Sequence, residues 1–164
     1  MGLIRLFMHG KLVIDREEGS EWGYLLVDES IRNKCFALLG LGELGYNLPD
    51  YEAHVSAFTE DEVRLLPNPL QVEGKYCEFA PMHLKVVNPE DWDEVNACVI
   101  LCVECKALEH LRKWLGFEPL MYGKHEFHIT IGISEDPINP TIVRVVNLFN
   151  MHLNKNLSVV LDEV

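Results

Sequence analysis

The chain carries one β-α-β plan twice, and that repeat limits the folds open to its 164 residues more than any other feature. The first copy begins with the apolar stretch Tyr24 to Asp28. It continues through a helix-like segment at 29–41 that stops at Leu39-Gly40, a loop from Gly45 to Tyr51, and the alternating stretch His54 to Phe58. The second begins with the continuous apolar run Asn96 to Glu104, which reads as a central strand. An amphipathic segment over 105–115 follows, then Leu115-Gly116, a loop with Pro119 and Gly123, and Phe127 to Ile133. Val27 and Val103 are 76 residues apart, and so are Leu39 and Leu115; His54 and His128 are 74 apart, so the second loop is two residues shorter. Self-similarity at one spacing predicts two similar structural units, paired about a pseudo-twofold axis.

Within the helical segments, Ile31, Cys35, Leu38 and Leu39 share one side, as do Leu108, Leu111, Trp114 and Leu115, with Gly40 or Gly42 and Gly116 as stops. Outside the repeat, the stretches 3–7 and 11–15 read as a hairpin turning at His9-Gly10. Gly74 to Val87 alternates as a long strand or hairpin arm. Residues 141–153 read as a helix, and Leu157 to Leu161 as a last strand.

Composition narrows the function classes. Apolar residues are 48% and charged residues 24%, ordinary values for a folded globular domain. The formal charge is −12. A chain this acidic repels polyanions, so no grip on long DNA or RNA is expected. A small anionic ligand in a local pocket remains open. No apolar run approaches the roughly 20 residues that cross a bilayer, so no membrane partner is expected. The first ten residues read as too short and mixed for a signal peptide, and Leu6 stands where myristoylation wants Ser or Thr. Five cysteines, three of them at Cys98, Cys102 and Cys105, point to free thiols in a reducing cytoplasm.

The two alternating strands each carry His-x-Ser/Thr: His54-Val-Ser56 and His128-Ile-Thr130. Residues two apart on a strand share a face. Phe127, Ile129, Ile131 and Ile133 then form a core face, and His128, Thr130, Gly132 and Ser134 the opposite one. In the first copy Val55 and Ala57 point inward and His54, Ser56 and Phe58 outward. Gly132, without a side chain, is expected to leave room for a ligand. With seven histidines and eight Ser or Thr residues, random placement gives about 0.3 such matches; two occur, at equivalent points of a repeat. Two imidazoles across a cleft supply acid–base catalysis without metal. A neutral ring takes a proton from water or a ribose 2′-hydroxyl, and a protonated ring gives one to the leaving oxygen. The hydroxyls donate to phosphate oxygens as charge develops.

These motifs resemble the 2H phosphoesterase superfamily, over roughly residues 24–134 and in the same order. The resemblance implies catalytic roles for His54, Ser56, His128 and Thr130, no cofactor and no metal. Ser56 departs from the commoner Thr but keeps the hydroxyl. The implied architecture is an α+β fold of residues 1–164 as a single bilobal domain, with two pseudo-symmetric lobes of antiparallel sheet and outer helices around a central cleft. Small size looks most like the viral or phage branch, whose members destroy cyclic oligonucleotide immune messengers. The expected function is metal-independent cleavage of a small cyclic or 2′,5′-linked oligonucleotide, in the host cytoplasm if viral. Two alternatives stay open: an RNA 2′,3′-cyclic phosphodiesterase of RNA-end repair, and a non-catalytic nucleotide- or protein-binding module on the same scaffold.

Phe58 and Tyr122 are candidates to stack a base, and Lys124 to pair with phosphate. Tyr24, Tyr46 and Tyr51 read as packing or loop anchors. Cys98, Cys102 and Cys105 read as small core hydrophobes, since Cys102 and Cys105 have no second Cys-x-x-Cys to complete a site. His125 and His128 would face opposite sides of a strand and make no metal pair. His110, beside Arg112 and Lys113, reads as solvated.

Overall fold

The computed structural model describes residues 6–161. In chain order the elements are β1 (Met8–Asp15), β2 (Trp22–Leu26), α1 (Glu29–Leu38), a 3-10 turn (Leu41–Leu44), β3 (His54–Phe58), α2 (Glu60–Leu65), β4 (Tyr76–Val87), β5 (Ala97–Glu104), α3 (Lys106–Trp114), β6 (Phe127–Ser134), α4 (Pro140–Met151) and α5 (Leu153–Leu161). The strands hydrogen-bond in the order β1-β2-β3-β6-β5-β4, in an antiparallel sheet. The fold is therefore α+β.

The repeat is visible in the local structure. It comprises β2-α1-β3 and β5-α3-β6. Leu39 and Leu115 close their helices with nearly the same dihedrals, φ −81° and ψ −11° against φ −82° and ψ −2°. The next residues, Gly40 and Gly116, take φ of 65° and 91°, a left-handed conformation that glycine adopts without a Cβ clash. The helix starts differ. Asp28 caps α1 by accepting the Ser30 N–H at 2.8 Å, whereas Cys105 gives α3 no side-chain cap.

The compact units of the chain cut across the two copies. One holds residues 6–27, His54–Pro81 and Val103–His128; the other holds Asp28–Ala53, Met82–Cys102 and 129–161. Thus α3, from the second copy, packs with β3 of the first. In the other unit α1, from the first copy, packs with β6 of the second: Phe36 and Leu41 cover Gly132.

The first unit is tied together by Arg112, 1% exposed. Its Nε donates to the Glu118 carbonyl at 2.9 Å and its Nη1 to the Ala57 carbonyl at 2.7 Å. Nη1 and Nη2 also form a two-pronged pair with Glu62, at 2.8 Å each. The guanidinium carbon lies 5.6 Å from both the Phe58 and Phe117 ring centroids. Glu62 in turn closes a capping box with Thr59 at the start of α2. Burial pushes the Glu62 carboxyl up, but Arg112 and the Thr59 N–H outweigh it, and it titrates below the ordinary carboxylate range.

Four expectations are corrected. His9-Gly10 is not a turn: β1 runs straight through it, pairing with β2 and β4. Gly10 is there for close approach, since a Cβ would stand 2.7 Å from the Leu25 Cβ; residues 3–5 of the expected hairpin lie outside the described residues. Leu157 to Leu161 is helix, not strand. Leu157 and Val160, three apart, are both buried, and the helix packs on α1 and α4, so tertiary contact overrides β-branched preference. On α3 the buried face runs through Leu108 and Arg112, leaving Trp114 75% exposed. Asp28 is a helix cap rather than a strand end.

Removing one partner of a buried bidentate pair strands the other charge. Arg112→Ala should lower the unfolding free energy in urea by about 3–5 kcal/mol at neutral pH. Because the Glu62 carboxyl is depressed in the fold, the pair's stability is present above the unfolded carboxylate pKa and fades as pH falls through the folded value. The deficit of Arg112→Ala should therefore shrink in acid.

Candidate active site

β3 delivers the first motif by simple alternation. Val55 and Ala57 are fully buried, while His54 and Ser56, which alternate with them, are half-buried. β2 lies alongside, with Leu26 opposite His54 and Tyr24 opposite Ser56. The Tyr24 ring meets the His54 imidazole edge to face, centroids 5.5 Å apart at 67°. Sequence alone held no signal for Tyr24 as a partner of His54, because strand register is set between strands and not within them.

His128 is the second residue of β6 and belongs to the same compact unit as His54 and Ser56. Its Nδ1 lies 3.1 Å from the Glu126 carbonyl oxygen. A carbonyl only accepts, so Nδ1 carries the hydrogen and the neutral ring presents its Nε2 lone pair. Burial lowers the His128 pKa and the charges of His54 and His125 lower it further, while the hydrogen bond to the Glu126 carbonyl and the Glu126 carboxylate pull the other way. A charge on His54 therefore disfavours a proton on His128.

Thr130 follows two residues along β6, on the part of the strand belonging to the second unit. Its side chain is buried. The Thr130 hydroxyl opposes the rise that burial gives the Tyr51 phenol and the Cys98 thiol, both of that unit. Cys98, Cys102 and Cys105 are all buried, in line with the reading of them as core residues. Burial pushes Cys98 up to about 12 and Cys105 up to about 11, so both thiols stay protonated at neutral pH.

Two of the proposed ligand contacts are corrected. Phe58 is fully buried. Tyr24 pairs with Ser56 but Gly23 pairs with Phe58, leaving Ala57 as the extra residue of a bulge. The bulge breaks the alternation and turns Phe58 inward, where its ring packs on Phe117 with centroids 6.0 Å apart. The space above Gly132 is not open either: a Cβ there would stand 2.9 Å from Leu41 and 3.5 Å from Phe36. Gly132 admits a helix-side core, not a ligand.

Tyr122 and Lys124 are exposed. Tyr122 and Gly123 have φ of 54° and 79°, and the Lys124 N–H returns to the Met121 carbonyl at 3.3 Å, closing a tight two-residue turn. The Tyr122 ring meets His125 edge to face at 5.1 Å.

The family model described as "Swiss Army Knife, 2H phosphoesterase domain" matches residues 41–138, more than half of the chain and a span that contains both His-x-Ser/Thr motifs. The chain belongs to this 2H phosphoesterase family, whose general chemistry is phosphodiester hydrolysis. No curated protein and no solved structure matches it. Among the described residues no helix is long and apolar enough to cross a membrane.

The coupling of the two imidazoles has a direct readout. In an NMR titration the His128 ring should have its midpoint below the ordinary histidine value of about 6.5. His54→Ala removes the neighbouring charge and should move that midpoint up.

Proposed function

We propose that the protein is a metal-independent phosphodiesterase acting on a small cyclic or 2′,5′-linked oligonucleotide, with His54, His128, Ser56 and Thr130 as its working groups. The observation that carries this reading is the pair of half-buried imidazoles in one compact unit, one of them fixed through Nδ1 with its Nε2 lone pair available. Such a pair divides acid and base roles. His128, held neutral, takes the proton from the attacking oxygen, either water or a substrate 2′-hydroxyl. The attacking oxygen bonds to phosphorus, the phosphorus–oxygen bond to the leaving group breaks, and His54 is the group that gives a proton to the leaving oxygen. The Ser56 and Thr130 hydroxyls donate to the non-bridging oxygens as their charge grows.

The preference for a small substrate rests on charge. A chain of net charge −12 gains little from the many phosphate contacts that hold long nucleic acids. Tyr122 offers an exposed ring for a base and Lys124 an ammonium for a phosphate, on a turn in the same unit as both histidines. Action on a host immune messenger, as in the viral or phage branch, extends this reading by analogy.

With EDTA present, the protein should cleave at least one member of a panel of 3′,3′-cyclic dinucleotides, 2′,5′-oligoadenylates and RNAs ending in 2′,3′-cyclic phosphate, followed by mass spectrometry. His54→Ala and His128→Ala should each slow it by about 10²–10⁴-fold, with smaller losses for Ser56→Ala. A rate abolished by EDTA and restored by a divalent cation would reject the mechanism. Cleavage confined to the cyclic-ended RNA would identify a repair enzyme instead. Tight binding without product would identify a binding module.

A further inference from the structure

One cross-strand row of the first unit runs from His54 to a pair of exposed residues that the reaction above leaves unused. Leu26 on β2 lies opposite His54, Lys11 on β1 opposite Leu26, and Tyr76 on β4 opposite Lys11. Directly opposed residues of antiparallel strands point to the same side of a sheet. Leu12, Leu25 and Val55, each one residue out of phase with the row, take the other side and are buried. His54 and Leu26 are half-buried, Lys11 is exposed, and Tyr76 is 70% exposed. Exposure thus rises along the row with distance from the imidazole.

Spacing and chemistry fit this row to a nucleotide. Neighbouring strands lie about 5 Å apart, so the Lys11 backbone stands roughly 10 Å from that of His54. An ammonium on a flexible four-carbon stem covers part of that distance. It can meet a phosphate one nucleotide away from the one that His54 and Ser56 hold. The Tyr76 ring, directly opposite Lys11, offers a π-face to the base of that nucleotide. The next row pairs His9 with Glu78, and that carboxylate disfavours a further phosphate on the same side. In strand order the row lies on the β2 side of His54, whereas the Tyr122 turn leads into β6 on the other side.

We propose that Lys11 and Tyr76 form a second nucleotide subsite, Lys11 taking the phosphate and Tyr76 the base of the residue next to the scissile phosphate. This rests on the reading of His54 and Ser56 as a phosphate site. It narrows the substrate to one with two phosphates, as a cyclic dinucleotide or a 5′-phosphorylated 2′,5′-dinucleotide has. A mononucleotide fills the first position alone.

Binding to the His128→Ala protein, measured by calorimetry with EDTA present, separates affinity from turnover; His128→Gln is the background if His128→Ala does not fold. The probes are AMP, 3′,3′-cyclic di-AMP and a 2′,5′-linked diadenylate with a 5′-phosphate. At least one two-phosphate probe should bind tighter than AMP. Lys11→Gln and Tyr76→Ala should each raise the Kd of that probe about tenfold, the scale of one lost charged contact or one lost base stack, and leave the Kd of AMP unchanged. Lys11→Arg should keep the affinity. Equal weakening of all three probes, or no weakening of any, overturns the inference, as does a failure of both two-phosphate probes to bind better than AMP. If the binding differences hold while the wild-type protein cleaves no member of the panel, the phosphodiesterase reading falls and the subsite stands.

Discussion

The buried guanidinium of Arg112 is the contact on which the first compact unit depends. It belongs to the segment that ends in His128, and it binds the carbonyl of Ala57 on the strand that begins with His54. Glu62 neutralises it, and two aromatic rings flank it. A charge buried in this way tolerates little displacement, because its donors are shared among Ala57, Glu62 and Glu118, on three different parts of the chain. The two motif histidines thereby inherit a fixed scaffold, although neither touches Arg112 in any bond described above.

The histidines themselves differ through their surroundings. Both occur in the same sequence pattern, at equivalent points of the repeat. His128 is desolvated, tied through Nδ1 to a backbone carbonyl and opposed by His54 and His125. The structural repeat is therefore not a chemical one. Two copies of one motif thus acquire different surroundings, and environment is the usual means by which one residue type comes to take two roles.

Much of this was legible before any coordinates. The strands β3, β5 and β6 and the helices α1, α3 and α4 follow from alternation, helical spacing and glycine stops. Other residues misled for physical reasons. Phe58 has the parity of an outward residue, but a bulge at Ala57 reverses it. Gly132 looks like space left for a ligand, but Leu41 and Phe36, from ninety or more residues earlier, fill that space. Nothing in the sequence marks Arg112 as a core residue, because its counter-charge, Glu62, lies fifty residues earlier. Leu157 to Leu161 has a strand's composition and takes a helix because α1 and α4 are there to cover it.

The sequence by itself determined the repeat, the helix ends and the parity that places an imidazole and a hydroxyl on one face of each strand. These are local matters, decided by φ, by capping and by a side-chain period of two. Only the tertiary structure decided that each copy's helix packs with the other copy's strand, that Tyr24 meets His54, that Thr130 is buried, and that His128 is held neutral. Those outcomes depend on register and desolvation, which are set by residues distant in the chain and leave no periodic trace in it.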